Sequence, residues 1–279
     1  MFPRTTVAGV SLPRLLIGTN WMFGWSHTGH AADVFINEQH SSGEATMKVI
    51  SAFLNYGIDA VMTPFSTHPA CADKIKYAED KTGKKIIKID TPIINVDDNE
   101  AARKEANAVI KNSAALGCTF CLIHHSSCEQ LVNKNKRTIE RLGDYTSMIR
   151  DAGLIPGLSA HMPEIIQFSD NNNYDVETYI QIFNCMGFLM QVEVESVIKI
   201  IHEAKKPVMT IKPMAAGRTT PYIGLTFNWN VLRPKDMITV GCISEHEAHE
   251  DVEISLAALE KRLPNLEGRS SPGKTSIIK

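Results

Sequence analysis

Short apolar runs alternate with longer stretches of helical period along most of the chain. Residues 14–21, RLLIGTNW, read as a strand. Residues 44–57, EATMKVISAFLNYG, read as a helix with Met47, Ile50, Phe53 and Leu54 on its apolar face and Gly57 at its C-terminus. The pair recurs as strand DAVMTPF with helix ACADKIKYAEDKTG, strand KKIIKIDTP with helix NEAARKEANAVIKNSAALG, N-capped by Asn99, and strand CTFCLIHH with helix RTIERLGDYTSMIRDAG. Then come strand LIPGLSAH with a short helix from MPEIIQF, the polar loop SDNNNYD, and strand TYIQIFN with helix VESVIKIIHEAK. Strand PVMTIKP with helix PYIGLTFNWNVL, and strand MITVGC with helix SEHEAHEDVEISLAALEKRL, close the series. Eight alternating units predict parallel strands with helical crossovers, the count of a closed (β/α)8 TIM barrel. The expected organisation is one barrel domain, residues 1–266, and a polar tail, residues 267–279.

Such barrels place their chemistry where the strands end and the βα loops converge. The polar residues predicted at that mouth are Thr19 and Asn20 after the first strand, Thr63, Asp90 and Thr91, His124 or His125, His161, Asn184 and Lys212, with Gly241 and Ser244 in the eighth loop. Asp90, His124 and His161 come from three successive strands. Two imidazoles and a carboxylate compose an open metal site for Zn, Mn or Fe, and the metal-free alternative is a polar cluster in which histidine moves protons. Adjacent strand residues point to opposite faces, so whether His124 or His125 faces the site is open.

Lys212 lies in an apolar strand, where a lysine needs solvent or a partner. It is expected to stabilise an anion, with a salt bridge to Asp90 or Glu193 as the structural alternative and imine formation as the minor one. Asn20, Trp21, His125, Asn184, Glu193 and Arg218 complete the expected substrate-binding set. The long first loop carries Trp21, Phe23, Trp25 and His27, too aromatic for a solvated linker, and reads as a lid or substrate wall, or as a face between copies in a homo-oligomer.

Net charge is −2, with 22% charged and 43% hydrophobic residues, which gives no electrostatic footprint for nucleic acid or an anionic membrane. No apolar run approaches the roughly 18 residues of a membrane span and no secretory leader is read, so a cytoplasmic location is expected. The six cysteines are scattered through apolar segments and are expected reduced, and the Cys118, Cys121 pair has no second pair to complete a zinc site. Two pattern matches lack their structural context. GRSSPGKT (residues 268–275) fits a phosphate loop in letters but has no helix after it, and HEAHE spaces its histidines by three instead of four.

Several segments in order resemble the aldo-keto reductase superfamily: LPRLLIGTNWMFG its first strand, GLIPGLSAHMPEII the segment after its fifth, YIQIFN its sixth, PVMTIKPMAAGR its seventh, and MITVGCISEHEAHEDVEISL its last strand, cofactor loop and helix. The resemblance implies a barrel, a reductase-type histidine at His124, and an NADP phosphate near Gly241 and Ser244. The family's aspartate and tyrosine have Met62 and Thr67 near their positions, and Asp90 ends the strand that the family closes with lysine. The leading expectation is therefore an enzyme acting on a small polar metabolite (a carbonyl, hydroxy acid or sugar-like compound) by His/Asp acid–base or metal-assisted chemistry. NADP-dependent reduction with another proton donor, and a non-catalytic ligand-binding barrel, are the alternatives.

Overall fold

The computed structural model describes residues 1–266, so the phosphate-loop-like GRSSPGKT and the expected tail lie outside the described residues. The chain opens with the hairpin β1 (Arg4–Val7) and β2 (Val10–Pro13). Next come β3 (Leu15–Gly18), α1 (His30–Gln39), α2 (Gly43–Leu54), β4 (Ala60–Thr63), α3 (Pro69–Thr82), β5 (Ile87–Asp90), α4 (Glu100–Ala115) and β6 (Phe120–Ile123). After the single turn α5 (His125–Cys128), the hairpin β7 (Val132–Asn133) and β8 (Thr138–Ile139) leads into α6 (Leu142–Asp151). The chain continues through β9 (Ile155–Ala160), α7 (Glu164–Asn172), β10 (Thr178–Ile182), α8 (Val194–Glu203), β11 (Val208–Ile211), α9 (Pro221–Val231), β12 (Met237–Gly241) and α10 (Glu245–Glu260). Strands β3, β4, β5, β6, β9, β10, β11 and β12 pair in parallel in that order, and β12 closes on β3. The protein is a (β/α)8 barrel.

Period-2 alternation divides the strands into two cores. Leu16, Met62, Ile89, Phe120, Leu122, Ile180, Met209 and Met237 fill the barrel interior, where Val7 and Leu12 of the opening hairpin join them. Leu15, Ile17, Val61, Cys121, Ile123 and Val240 face outward onto the helices. Gly157 makes room inside. A Cβ there would stand 2.6 Å from Leu122 Cγ and 2.9 Å from the Thr178 carbonyl oxygen.

The predicted helix stops are present: Gly83 caps α3 in the left-handed region at φ +67°, and Asn99 Oδ1 accepts the Ala102 N–H at 2.8 Å. Three expectations are corrected. The first loop contains a helix of its own, α1. Residues 137–141 form the end of the β7–β8 turn, strand β8 and the turn into α6 instead of the start of α6, with Arg137 and Arg141 both left-handed. The expected loop SDNNNYD begins as the last turn of α7, because Asp170 is buried there, accepting from Tyr179 Oη at 2.6 Å and from the Lys205 N–H at 2.8 Å. No helix among the described residues is long and apolar enough to cross a membrane.

Candidate active site

A cavity of about 840 Å³ opens at the C-terminal ends of the barrel strands. The alternation that fills the interior also selects its floor. Thr91, His124, Ser159, His161 and Thr239 continue the inward-facing series of β5, β6, β9 and β12, and all line it. His125 lines it as well. Strand β6 ends at Ile123 and α5 begins at His125, so the chain has turned by the second histidine and both rings face the cavity.

The rings form a packed series. His124 and His125 have centroids 4.2 Å apart, and His125 stacks on His161 at 3.7 Å with 15° between planes. Ser126 fixes the His124 tautomer: its backbone N–H donates to Nδ1 at 3.3 Å and its Oγ lies 2.7 Å from the same nitrogen. A neutral imidazole that accepts at Nδ1 carries its proton on Nε2, leaving an N–H donor. Glu129 holds the end of β9 by accepting the His161 and Met162 N–H groups at 2.6 and 2.8 Å.

Desolvation first, then neighbouring positive charge, pushes His124 down to about 4 and His161 down to about 3, so both are neutral at pH 7. Lys212 contributes to that charge at His124, His125, His161 and the rim residue His27. Burial lowers Lys212 itself to about 8. Among the described residues, no hydrogen bond or ion pair holds its ammonium, so neither Asp90 nor Glu193 bridges to it. Arg218 is at the rim, its guanidinium 3.9 Å from the Phe188 ring centroid and donating to the Ala215 carbonyl at 3.1 Å.

Aromatic residues of the first loop form one wall. Trp21 and Trp25 line the cavity, Trp25 lies 5.0 Å from the His68 ring, and Asn20 Nδ2 is 3.3 Å from His27 Nε2. Ser26 anchors the loop to α1, donating to Asp33 from its N–H at 2.8 Å and its hydroxyl at 2.6 Å. Trp21 and Asn20, expected at a substrate wall, both line the cavity.

Other expected site residues are elsewhere. Asp90 is wholly buried on the outward face of β5 with Lys88, accepting the Ser66 N–H at 3.3 Å, and burial raises its carboxyl. Thr91 takes the inward position. Asn184 is buried outside the cavity and organises its own turn, accepting from the Met186 and Phe188 N–H groups at 3.2 and 2.9 Å. Glu193 is exposed at the N-cap of α8, and His246 and His249 are exposed on α10.

The metal expectation loses its donor set with Asp90. Among the described residues no group of three or more His, Cys, Asp and Glu side chains is arranged to hold a metal ion. Parallel stacked rings also aim their in-plane lone pairs side by side instead of at one point, so His125 and His161 do not fit a shared ion. An NADP phosphate fits no better. Gly241 is covered by the Trp21 ring, which a Cβ there would meet at 3.2 Å, and Ser244 Oγ accepts the Glu247 N–H at 3.2 Å. Glu247 returns the bond to the Ile243 N–H at 2.8 Å, and Glu247, Glu250 and Asp251 line this end of the cavity. A helix start already capped and ringed by carboxylates repels a phosphate. NADPH titrated against the Trp21 and Trp25 fluorescence is accordingly expected to give no saturable quench, and a micromolar Kd would contradict that fit.

No protein-family model matches the chain, and no curated protein matches it in sequence. Solved structures match its fold. A Pseudomonas aeruginosa protein provisionally described as an aldo-keto reductase superposes with a TM-score of 0.66 at 12% identity, covering 92% of this chain and 96% of that one. Aldose reductase from Giardia lamblia gives 0.55 at 12% identity, covering 91% and 89%. Orotidine 5'-monophosphate decarboxylase from Methanocaldococcus jannaschii gives 0.52 at 12% identity, covering 88% and 97%. The chain shares its (β/α)8 architecture with these barrels, and at these identities the likeness is one of fold, shared by enzymes of unrelated chemistry.

Proposed function

We propose that the protein is an enzyme that binds a small polar metabolite bearing a carbonyl or carboxylate oxygen at the histidine and lysine end of the cavity, and rearranges or cleaves it by proton transfer. The observation that carries this reading is the convergence of His124, His125, His161 and Lys212 on one cavity. Lys212 supplies the charge that orients an electron-rich oxygen, and the Nε2–H of His124 donates to it. His161, neutral and with no hydrogen bond to its ring among the described residues, takes or returns the proton. An anion beside Lys212 offsets the positive charge that depresses the imidazoles, so substrate binding itself makes His161 a stronger base. The acidic rim of Glu247, Glu250 and Asp251 suits hydroxyl groups at the far end of a sugar-like substrate.

The test is the His124→Ala, His161→Ala double variant, assayed against a panel of hydroxy acids, keto acids and small sugars. Turnover found with the wild type should fall at least 100-fold, the scale of general acid–base catalysis. Full retention of turnover and binding would overturn the reading.

A further inference from the structure

Lys212 is not placed by strand alternation. Ile211 packs with the barrel interior, so the next residue should point out toward the helices. Lys212 instead adopts φ +60°, a left-handed backbone conformation unfavourable for a residue with a Cβ, and its side chain lines the cavity. Ala215 and Ala216, three and four residues on, are left-handed too, at φ +50° and +54°. The turn after β11 thus accepts backbone strain in presenting one amine.

That amine differs from the protein's other half-buried lysines. Lys88 is held by Glu79 at 3.0 Å, Lys74 donates to the His40 carbonyl at 2.5 Å, and Lys206 to the Tyr174 carbonyl at 3.2 Å. Among the described residues Lys212 has no such partner, and the side chains around it are imidazoles, which bring proton carriers without a counterion. A purely electrostatic anchor needs no free lone pair. A nucleophile does, and desolvation without a carboxylate is what frees one.

We propose that Lys212 is a covalent nucleophile that condenses with a ketone or aldehyde carbonyl of the substrate to form an imine. This rests on the histidine acid–base roles of that reading, replaces the orienting charge of Lys212 in it with a covalent bond, and narrows the substrate to a carbonyl compound. The Nζ lone pair attacks the carbonyl carbon, the C–N bond forms as the C=O π bond opens, and the oxygen takes a proton through His124 Nε2, which is made good by the proton that Nζ loses to the imidazole series. The carbinolamine hydroxyl then leaves as water on receiving a proton from the histidines, and the C=N bond forms. The net change is amine plus carbonyl to imine plus water, with no oxidant or reductant consumed, and hydrolysis reverses it. The protonated imine withdraws electrons from the adjacent carbon, whose proton or C–C bond the histidines can then help to break. Burial that brings Lys212 to about 8 leaves on the order of a tenth of it as free amine at pH 7.

The experiment is reductive trapping of the full chain at pH 7 with pyruvate, glycolaldehyde and dihydroxyacetone, each with cyanoborohydride, followed by intact mass and peptide mapping. The exposed Lys104 and Lys111 serve as internal standards. Lys212 should be modified at least tenfold faster than either standard with one or more of the probes, to one adduct per chain, and Lys212→Arg should remove that adduct while keeping the charge and the native circular dichroism spectrum. Modification of Lys212 no faster than Lys104 with all three probes would overturn the proposal. An adduct on Lys212 in a protein whose double histidine variant keeps full turnover would sink the acid–base roles and leave the imine standing, whereas loss of turnover without trapping would do the reverse.

Discussion

Gly157→Val lowers the melting temperature by an expected 6–10 °C or so, the equivalent of about 3 kcal/mol of overpacking in a domain of this size. Gly157 faces the barrel interior, where a Cβ would meet Leu122 Cγ at 2.6 Å and the Thr178 backbone carbonyl at 2.9 Å. The leucine could change rotamer, but it is fully buried among other interior residues, and the carbonyl belongs to the neighbouring strand β10 and cannot retreat without breaking the ladder. Thermal unfolding followed by circular dichroism measures the loss. Adding Leu122→Ala should recover part of it, since it removes one of the two obstructions, and leave the part due to the backbone. A Gly157→Val protein as stable as the wild type would mean that the interior is looser than the packing implies.

The second large effect is on pH. His124 and His161 carry folded values near 4 and 3, below the ordinary histidine value of about 6.5. Above that ordinary value both rings are neutral folded or unfolded and contribute no slope. Between it and the folded values the unfolded chain takes up protons that the native pocket refuses, so stability falls as pH falls. For His124 alone the shift corresponds to roughly 3 kcal/mol, and the coupling between stacked rings makes the pair worth less than twice that. Denaturant unfolding from pH 7 to pH 4 should therefore show a loss on the order of 3 kcal/mol greater in the wild type than in a His124→Asn, His161→Asn variant, which cannot titrate there. Equal pH slopes in the two proteins would show that the histidines are not held neutral by the fold.

Much of this architecture was legible from period alone. All eight barrel strands lie within the predicted runs, because a strand buried on both faces is a short apolar run bounded by turn residues. The mouth rule brought out Asn20, Thr63, His124, His161, Lys212 and Gly241, all of which line the cavity, as do Trp21 and Arg218, read as substrate-binding candidates. Asp90 failed for a reason contained in the sequence itself. Ile87 and Ile89 face inward, so parity assigns the next inward position to Thr91 and turns Asp90 to the helices, and being at a strand's end does not amount to facing the site. Lys212 is the opposite case. Parity would have turned it outward, and only a left-handed backbone that no residue pattern announces brings it in. The stacking of His125 on His161 was hidden likewise, since it depends on β6 ending two residues before the second histidine. Asn184 and Glu193 are polar for local reasons, a turn and a helix start, which resemble site residues when only position is known.

The opening hairpin bears on how material moves through the molecule. With Val7 and Leu12 seated in the interior beneath Leu16, Phe120 and Met209, the lower end of the barrel is stoppered and the cavity is a blind pit. Whatever enters at the C-terminal mouth must leave by the same mouth, because the hairpin fills the opposite end. On the proposed enzymatic reading, substrate and product would exclude one another from this site, and product inhibition is expected to take the competitive form.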